Sequence, residues 1–447
     1  MSTAEMRFQP LIRLLRELLA PLVWLERARG RKRLALACLY VLVIAVAGVL
    51  SWRGSRIRGL PDIGDPFDPG PLLDFSVADD RNAFVPYRRA SERATRNREI
   101  ESRIFNAPYA WPKSDPEALA YLAENAEALE LWRQGTERPE ALYYRASEMT
   151  FDTALPIVQD HRHFARMAMM EAMRLRGEGD QAGAWIWYRA VLRGSRHVGN
   201  QGTVIGRLVG INEYAFARSA ITAWAADPTV DAALLRRVLK DVQNINVMTG
   251  PDSISIQYEY TSMMRTLENS DRLAAFYLSN PDTDGILDRG TWYYHLPGYF
   301  RARWFLEHEP ERTRRIAKLA FANWLAQCDR PPRLRPLMIG TRKTPRLVYD
   351  APVALPTGLS MPAAELARLL ESSWLARSSI LNYEAFEGAF GRDRAQQSGL
   401  VVALANRLYE VERGAFPESL GDLIGPYLDR LPEGYISDDP PLENGTP

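Results

Sequence analysis

Residues 167–193 read MAMMEAMRLRGEGDQAGAWIWYRAVLR, and they decide the predicted fold of the soluble part. Apolar residues recur every three or four positions in 167–176 and again in 181–193, which is the period of an amphipathic helix. Between them, residues 177–180 (GEGD) supply a glycine-rich turn. The stretch therefore predicts two helices that lie side by side around a short connection.

This hairpin resembles one unit of a tetratricopeptide-type repeat. An array of such units needs a period of about 34 residues and at least three copies, and the chain shows no such period. We therefore predict an irregular multi-helix bundle, with a short helical-hairpin solenoid as the alternative.

Helical periodicity extends over most of the chain after Pro86, and strand signals are few. Asp115 followed by Pro116 is typical of a helix start, and Pro228 is expected to open another helix. The predicted fold class is all-α. The predicted helices cover about 86–104, 115–133, 156–177, 181–195, 199–226, 229–246, 251–279, 298–328, 362–392 and 394–413.

Residues 34–52, LALACLYVLVIAVAGVLSW, form an uncharged stretch that predicts a single transmembrane helix. At a rise of about 1.5 Å per residue the stretch crosses a hydrocarbon core of about 30 Å. The alternative is a cleaved signal peptide with its site at residues 45–47. It fits less well, because 33 residues precede the apolar stretch and because that stretch continues to Trp52.

Basic residues flank the apolar stretch unevenly, with six upstream and three downstream within about 20 residues. This excess predicts a single-pass protein of the bacterial cytoplasmic (inner) membrane. Its N-terminus would lie in the cytoplasm, and the residues after 52 would lie outside it. The residues expected to orient the helix are Arg27, Arg29, Arg31, Lys32, Arg33 and the interfacial Trp52.

These patterns divide the chain into six predicted segments. They are a cytoplasmic segment 1–33 with an amphipathic helix at 11–25, the transmembrane helix 34–52, a Pro/Gly/Asp-rich linker 53–80, a main helical domain 81–330, a Pro-rich irregular connection 331–361, and a C-terminal helical unit 362–447.

Composition excludes several classes of function. The net charge is +1, so the chain lacks the basic footprint of nucleic-acid binding. Cys38 and Cys328 lie too far apart in the chain to predict a disulfide or a cysteine metal site. His161 and His163 are two residues apart and should point to different sides of a helix, unlike zinc ligands. We predict no metal and no cofactor.

Two patterns leave catalysis or ligand binding open. Glu259, with Asp282 and Asp284, could line a cleft, and a glycosidase needs two carboxyl groups about 5–9.5 Å apart. The aromatic clusters at 185–188 and 292–295 could bind glycans, although packing between helices is the interpretation we favour.

Residues 408–432 read LYEVERGAFPESLGDLIGPYLDRLP. This segment resembles the region after the long helix of major pseudopilins of type II secretion systems. It is also similar to the tail of uncharacterised membrane-anchored α-helical proteins of planctomycete bacteria. That second resemblance extends to 121–125, 138–139, 175–180, 184–185 and 209–211, and so covers most of 80–440.

The resemblance to the planctomycete proteins implies a fold type and a location, and no reaction. We expect the β-hairpin that usually follows such a tail to be missing, because residues 438–442 (DDPPL) are followed by only five more. No processing signal precedes the apolar helix, so a pseudopilin-like assembly role is not implied.

The sequence favours a non-enzymatic envelope scaffold or interaction protein, with the membrane and other envelope proteins as partners. One alternative is an envelope hydrolase or glycan-binding enzyme with an unrecognised carboxylate site. Another is an accessory factor of a secretion or pilus machine.

Overall fold

The structure is a computed structural model that describes residues 30–105, 115–150, 153–268, 309–342, 344, 346–372 and 383–432. The chain is all-α, an apolar N-terminal helix followed by an irregular bundle, which confirms the predicted fold class. The helices are α1 (Arg31–Arg58), α2 (Gly70–Asp74), α3 (Phe84–Arg93), α4 (Arg98–Phe105), α5 (Pro116–Glu124), α6 (Ala126–Thr136), α7 (Pro156–Glu178), α8 (Gln181–Asn200), α9 (Val204–Ala225), α10 (Ala232–Val247), α11 (Asp252–Glu268), α12 (Glu309–Leu325), α13 (Ala363–Ser372) and α14 (Tyr383–Arg413).

Short strands occur in the Pro-rich connection. Strand β1 (Met338–Ile339) pairs antiparallel with β2 (Val348–Tyr349), and β3 (Val353–Ala354) pairs antiparallel with β4 (Ser360–Met361). The chain divides into two compact units, one of residues 1–62 and 274–315 and the other of residues 63–273 and 316–447.

Helix α1 exposes its apolar surface on every side. None of its residues is buried, and it is the one helix within the described residues that is long and apolar enough to cross a membrane. Val41, Leu42, Val43 and Ile44 are consecutive, and each is more than half exposed. Successive residues turn by about 100° around a helix, so these side chains point in different directions.

The predicted hairpin is formed by α7 and α8. Gly179 ends α7 with a φ of 87°, a left-handed conformation that glycine adopts without steric cost. The Asp180 carboxylate accepts a hydrogen bond from Gly183 N at 2.8 Å and so caps α8. Asp115 caps α5 in the same way, as the sequence predicts.

Several predicted helix boundaries differ in the structure. The helix predicted over 115–133 is divided into α5 and α6 at Asn125, and the predicted break between 392 and 394 is wrong because α14 is continuous from Tyr383 to Arg413.

Two other differences have a local cause. The helix predicted over 86–104 is interrupted between α3 and α4, where the Thr95 N–H donates to the Asn125 side chain at 2.9 Å and Asn97 caps α4. Helix α10 begins after Asp231, whose carboxylate accepts from Leu234 N, so Pro228 does not open it.

The main core lies in the second unit. Helices α7, α8 and α9 pack in sequence, and α14 packs against α9 and α10. Met167, Tyr188 and Trp224 are completely buried there, and Leu404 of α14 belongs to the same apolar cluster. The aromatic cluster at 185–188 therefore contributes to packing, since the Trp185 ring stacks on Trp224 with centroids 5.9 Å apart.

Helices α8 and α9 approach so closely at one point that only glycine fits. A Cβ atom at Gly210 would lie 2.2 Å from the Ser195 carbonyl oxygen, which is backbone and cannot rotate away. Glycine at this position therefore sets the distance between the two helices.

We expect Gly210→Ala to lower the free energy of unfolding by about 1 to 3 kcal/mol, because the added methyl group forces α8 and α9 apart. Denaturant unfolding of the full chain in detergent, followed by tryptophan fluorescence, measures the change. The matched control is Gly391→Ala in α14, where no atom lies within 4 Å of the new Cβ. This control should be about 0.5–1 kcal/mol more stable. Equal effects of the two substitutions would contradict the close approach.

Candidate functional site

A pocket in the second unit lies where α8 and α9 meet the segment before α11 and the helix α14. Arg196, Arg207, Thr249 and Asp393 are among its lining residues. Its free space is about 210 Å³ with the solvent at its mouth included. The space at its centre is about the size of one water molecule. Its lining includes three buried charged side chains, those of Arg196, Arg207 and Asp393.

Arg196 and Asp393 form a buried ion pair that joins α8 to α14. The guanidinium donates to both carboxylate oxygens, at 2.8 and 3.1 Å, and each side chain is no more than 4% exposed. The Gln397 amide donates to the same carboxylate at 2.9 Å. The Arg196 guanidinium also lies over the Tyr214 ring, 4.4 Å from its centroid. This bidentate geometry holds both helices at a fixed separation.

Asp252, at the start of α11, accepts hydrogen bonds from three arginines. Arg207 of α9 donates at 2.8 Å, Arg394 of α14 at 2.7 Å, and Arg335 of the Pro-rich segment at 3.4 Å. Burial lowers the pKa of the Arg207 guanidinium from its usual value, and the charge of Asp252 opposes that effect. Three guanidinium groups therefore surround this buried carboxylate.

The chemistry open to this pocket follows from these pairings. Asp252 and Asp393 are both held by guanidinium groups, so neither carboxylate is placed to take a proton from a substrate. The arrangement is an electrostatic clasp that joins α8, α9, α11 and α14.

A second polar cluster lies between α3, α7, α8 and α9. The Tyr87 hydroxyl and His197 Nδ1 are 2.8 Å apart, and both side chains are almost completely buried. Burial lowers the pKa of His197 to about 3, and the charge of Arg193 adds to the shift. The His197 imidazole is therefore neutral at pH 7, and burial also raises the pKa of Tyr87 well above its usual value.

The neighbouring histidines each face a glutamate. His161 Nδ1 lies 3.0 Å from the Glu213 carboxylate, and His163 Nδ1 lies 2.6 Å from Glu101. Burial alone would raise the pKa of Glu101, but its hydrogen bonds with His163 and Tyr121 bring it below its usual value. The two histidines point to different partners, as their spacing predicts.

The His161–Glu213 pair has the geometry of an oriented general base. However, His161 is 1% exposed, and a Cβ atom at Gly194 would lie 3.1 Å from His161 Nε2. The His161 ring is therefore packed against α8 at Gly194 and is shielded from solvent. Within the described residues, no group of three or more His, Cys, Asp or Glu side chains could hold a metal ion.

Glu259 is the candidate carboxylate with the most strongly perturbed environment. Its Oε1 accepts a hydrogen bond from Val204 N at the start of α9, at 2.9 Å. Burial raises the pKa of Glu259 to about 7, and the Val204 hydrogen bond opposes this only partly. A carboxyl group with such a pKa is typical of general acids. Asp282 and Asp284, its predicted companions, lie outside the described residues.

The residues predicted to orient the membrane helix lie at both ends of α1. Arg31, Lys32 and Arg33 are exposed in its first turn, and Trp52 is 37% exposed near its other end. Arg27, Arg29, the amphipathic segment 11–25, the cluster 292–295 and the tail after 432 lie outside the described residues.

Sequence reasoning did not identify Arg196, Arg207, Asp252 or Asp393. Arg196 and Asp393 are 197 residues apart, and neither lies in a recognisable motif. No family model, curated protein or solved structure matches this chain.

Acid should destabilise the fold through His197. Between pH 6.5 and about 3 the unfolded chain binds a proton at this residue and the folded chain does not, so the free energy of unfolding falls as pH falls. In His197→Gln this contribution disappears. We expect the stability difference between wild type and variant to change by about 1.4 kcal/mol per pH unit between pH 6 and 4.

Denaturant unfolding of the full chain at a series of pH values measures this difference. The matched control is Tyr87→Phe, which removes the hydroxyl group beside His197 and keeps the imidazole. This control should retain the pH dependence of the wild type. Parallel stability curves for wild type and His197→Gln would refute a buried, neutral imidazole.

Glu259 should have the opposite dependence on pH. Its folded pKa of about 7 exceeds its usual value of 4.5, so its favourable contribution is complete at low pH and is lost as pH rises to 7. We expect the free energy of unfolding of Glu259→Gln to rise by up to about 3 kcal/mol relative to that of wild type between pH 4.5 and 8.

The same unfolding measurement, made at pH 4.5 and pH 8, checks this expectation. Glu365→Gln, at an exposed position of α13, controls for the removal of one carboxylate. If the free energy of unfolding changes by the same amount in both variants between these pH values, the pKa of Glu259 is not raised.

Proposed function

We propose that this chain is a single-pass protein of a bacterial cell-envelope membrane and that it acts as a non-enzymatic scaffold, by binding other envelope proteins. In this proposal residues 34–52 of α1 span the cytoplasmic membrane, the N-terminus lies in the cytoplasm, and the helical bundle lies outside it. The exposed apolar surface of α1 is the observation that carries the proposal.

That surface supports an anchor for a physical reason. An apolar helix in a soluble protein buries its side chains against the rest of the protein, whereas no residue of α1 is buried. Leu34 and Val41 are 68% and 66% exposed. Lipid is the environment that removes such a surface from water on all sides.

The pairing of the buried carboxylates supports a binding role more than a catalytic one. The buried carboxylates of Asp252 and Asp393 are held by arginines, and those of Glu101 and Glu213 are held by histidines. Glu259 favours the second candidate, an envelope hydrolase, because its pKa suits a general acid. Its 8% exposure and its hydrogen bond to Val204 N favour a structural role instead.

The anchor is tested with Val43→Arg combined with Val46→Arg, at the centre of the apolar stretch. Each charge opposes insertion by about 2.5–3.5 kcal/mol. We expect wild type to remain in membranes after an alkaline wash and the double variant to move to the supernatant. The control, Leu119→Arg with Ile186→Arg, adds the same charge at exposed positions of the bundle and should remain with the membrane. Release of wild type by the wash would disprove the anchor.

The same membranes test the scaffold. Cross-linking through a C-terminal tag should recover a defined set of envelope proteins with the anchored chain, and the set should be lost with Val43→Arg/Val46→Arg. Turnover of a cell-wall glycan by the purified full chain, abolished by Glu259→Gln, would establish the hydrolase instead.

A further inference from the structure

Arginines gather at the end of α1 that follows Trp52. Arg53, Arg56 and Arg58 occupy its last two turns, and Trp52 lies directly before them. At about 1.5 Å per residue, these arginines lie from about 1.5 to about 9 Å beyond Trp52 along the helix. The headgroup layer on each side of a hydrocarbon core is about 5–8 Å thick. If residues 34–52 span the bilayer, the three arginines therefore lie at or next to the depth of the lipid phosphates.

The start of α12 lies beside this end of α1, within the first unit. Arg56 lies 3.6 Å from the Glu309 carboxylate, the Leu60 carbonyl accepts from Arg315 at 2.8 Å, and Arg314 pairs with Asp62 at 3.3 Å. Residue 56 contacts the first described residue of α12, and residues 60 and 62 contact residues more than one turn later. Residues 309–315 of α12 therefore lie alongside residues 56–62, and Glu309 is the described residue of α12 nearest to the apolar stretch in these contacts.

Glu309 is shared between two guanidinium groups. Besides Arg56 it pairs with Arg312 at 3.7 Å, and the Glu309 and Arg312 side chains are each 4% exposed. The Arg56 side chain remains 35% exposed, and its Nε is buried without a hydrogen-bond partner among the described residues. The Glu309 carboxylate thus positions the Arg56 side chain and leaves part of its guanidinium accessible.

We propose that Arg53, Arg56 and Arg58 bind the phosphate groups of anionic phospholipids, with Glu309 and Arg312 as positioning residues for Arg56. The inference rests on the proposed membrane anchor. Guanidinium groups bind phosphate oxygens through paired hydrogen bonds and hold their charge at any physiological pH. Because successive residues turn by about 100°, Arg53 and Arg56 lie on neighbouring faces and Arg58 on another, so lipids are met from more than one side.

The test uses the full chain in nanodiscs that contain equal amounts of phosphatidylglycerol and phosphatidylcholine. Native mass spectrometry of the protein released from them gives the ratio of the two lipids that stay bound. We expect wild type to retain an excess of phosphatidylglycerol. Arg53→Gln with Arg58→Gln should lower that excess by up to about fivefold for each arginine removed. An increase in salt should reduce the wild-type excess in the same direction.

Two further variants separate this role from a general effect of charge. Arg53→Lys with Arg58→Lys keeps both charges and should keep most of the excess. Arg81→Gln with Arg93→Gln removes two exposed arginines of the second unit and should leave the ratio unchanged. Failure of wild type to enter nanodiscs would refute the anchor itself. Insertion with an unchanged lipid ratio in Arg53→Gln/Arg58→Gln would overturn only the lipid site.

Discussion

The carboxylate of Asp252 is the constraint on which the arrangement of the bundle depends. It is 2% exposed, and a buried carboxylate without compensating charges would destabilise the folded state by several kcal/mol. Arg207, Arg335 and Arg394 supply those charges from α9, the Pro-rich segment and α14. These three parts of the chain must therefore be in place together. The ion pair between Arg196 and Asp393 adds another link, which joins α8 to α14.

The buried charges and the buried neutral groups respond differently to pH. Arginine as a residue type holds its charge across the physiological pH range. Burial favours the neutral forms of His197 and Glu259, and their pKa values of about 3 and about 7 are displaced in opposite directions from those of the unfolded chain. The electrostatic clasp thus fixes the arrangement of the helices, whereas His197 and Glu259 help to determine the pH range in which the fold is stable.

The sequence predicts those features that depend on neighbouring residues. Periodicity and turn chemistry identify the α7–α8 hairpin, and α14 ends at Arg413 as the predicted range 394–413 indicates, with Gly414 directly after it at a φ of 77°. The interruption after α3 is missed because it depends on Asn125, which lies 30 residues further along the chain at the junction of α5 and α6. The electrostatic clasp is missed for the same reason, since its arginines and aspartates come from distant parts of the chain. Periodicity marks which face of a helix is buried, but it does not show which buried arginine will meet which buried aspartate.

The two kinds of helix in this chain differ in where their apolar surface goes. Helices α7 and α9 bury methionines and tryptophans against their neighbours, whereas α1 keeps its leucines and valines exposed. In the proposed function the exposed surface of the bundle binds other proteins, and lipid surrounds the exposed apolar helix. Arginine occurs both in the interior of the bundle and at the end of α1. It pairs with buried carboxylates within the bundle, and at the end of α1 the Arg56 guanidinium lies 3.6 Å from the Glu309 carboxylate. An arginine that pairs with a buried acid fixes the fold, whereas in the proposed anchor an arginine beside the apolar stretch meets the phosphate groups of lipids.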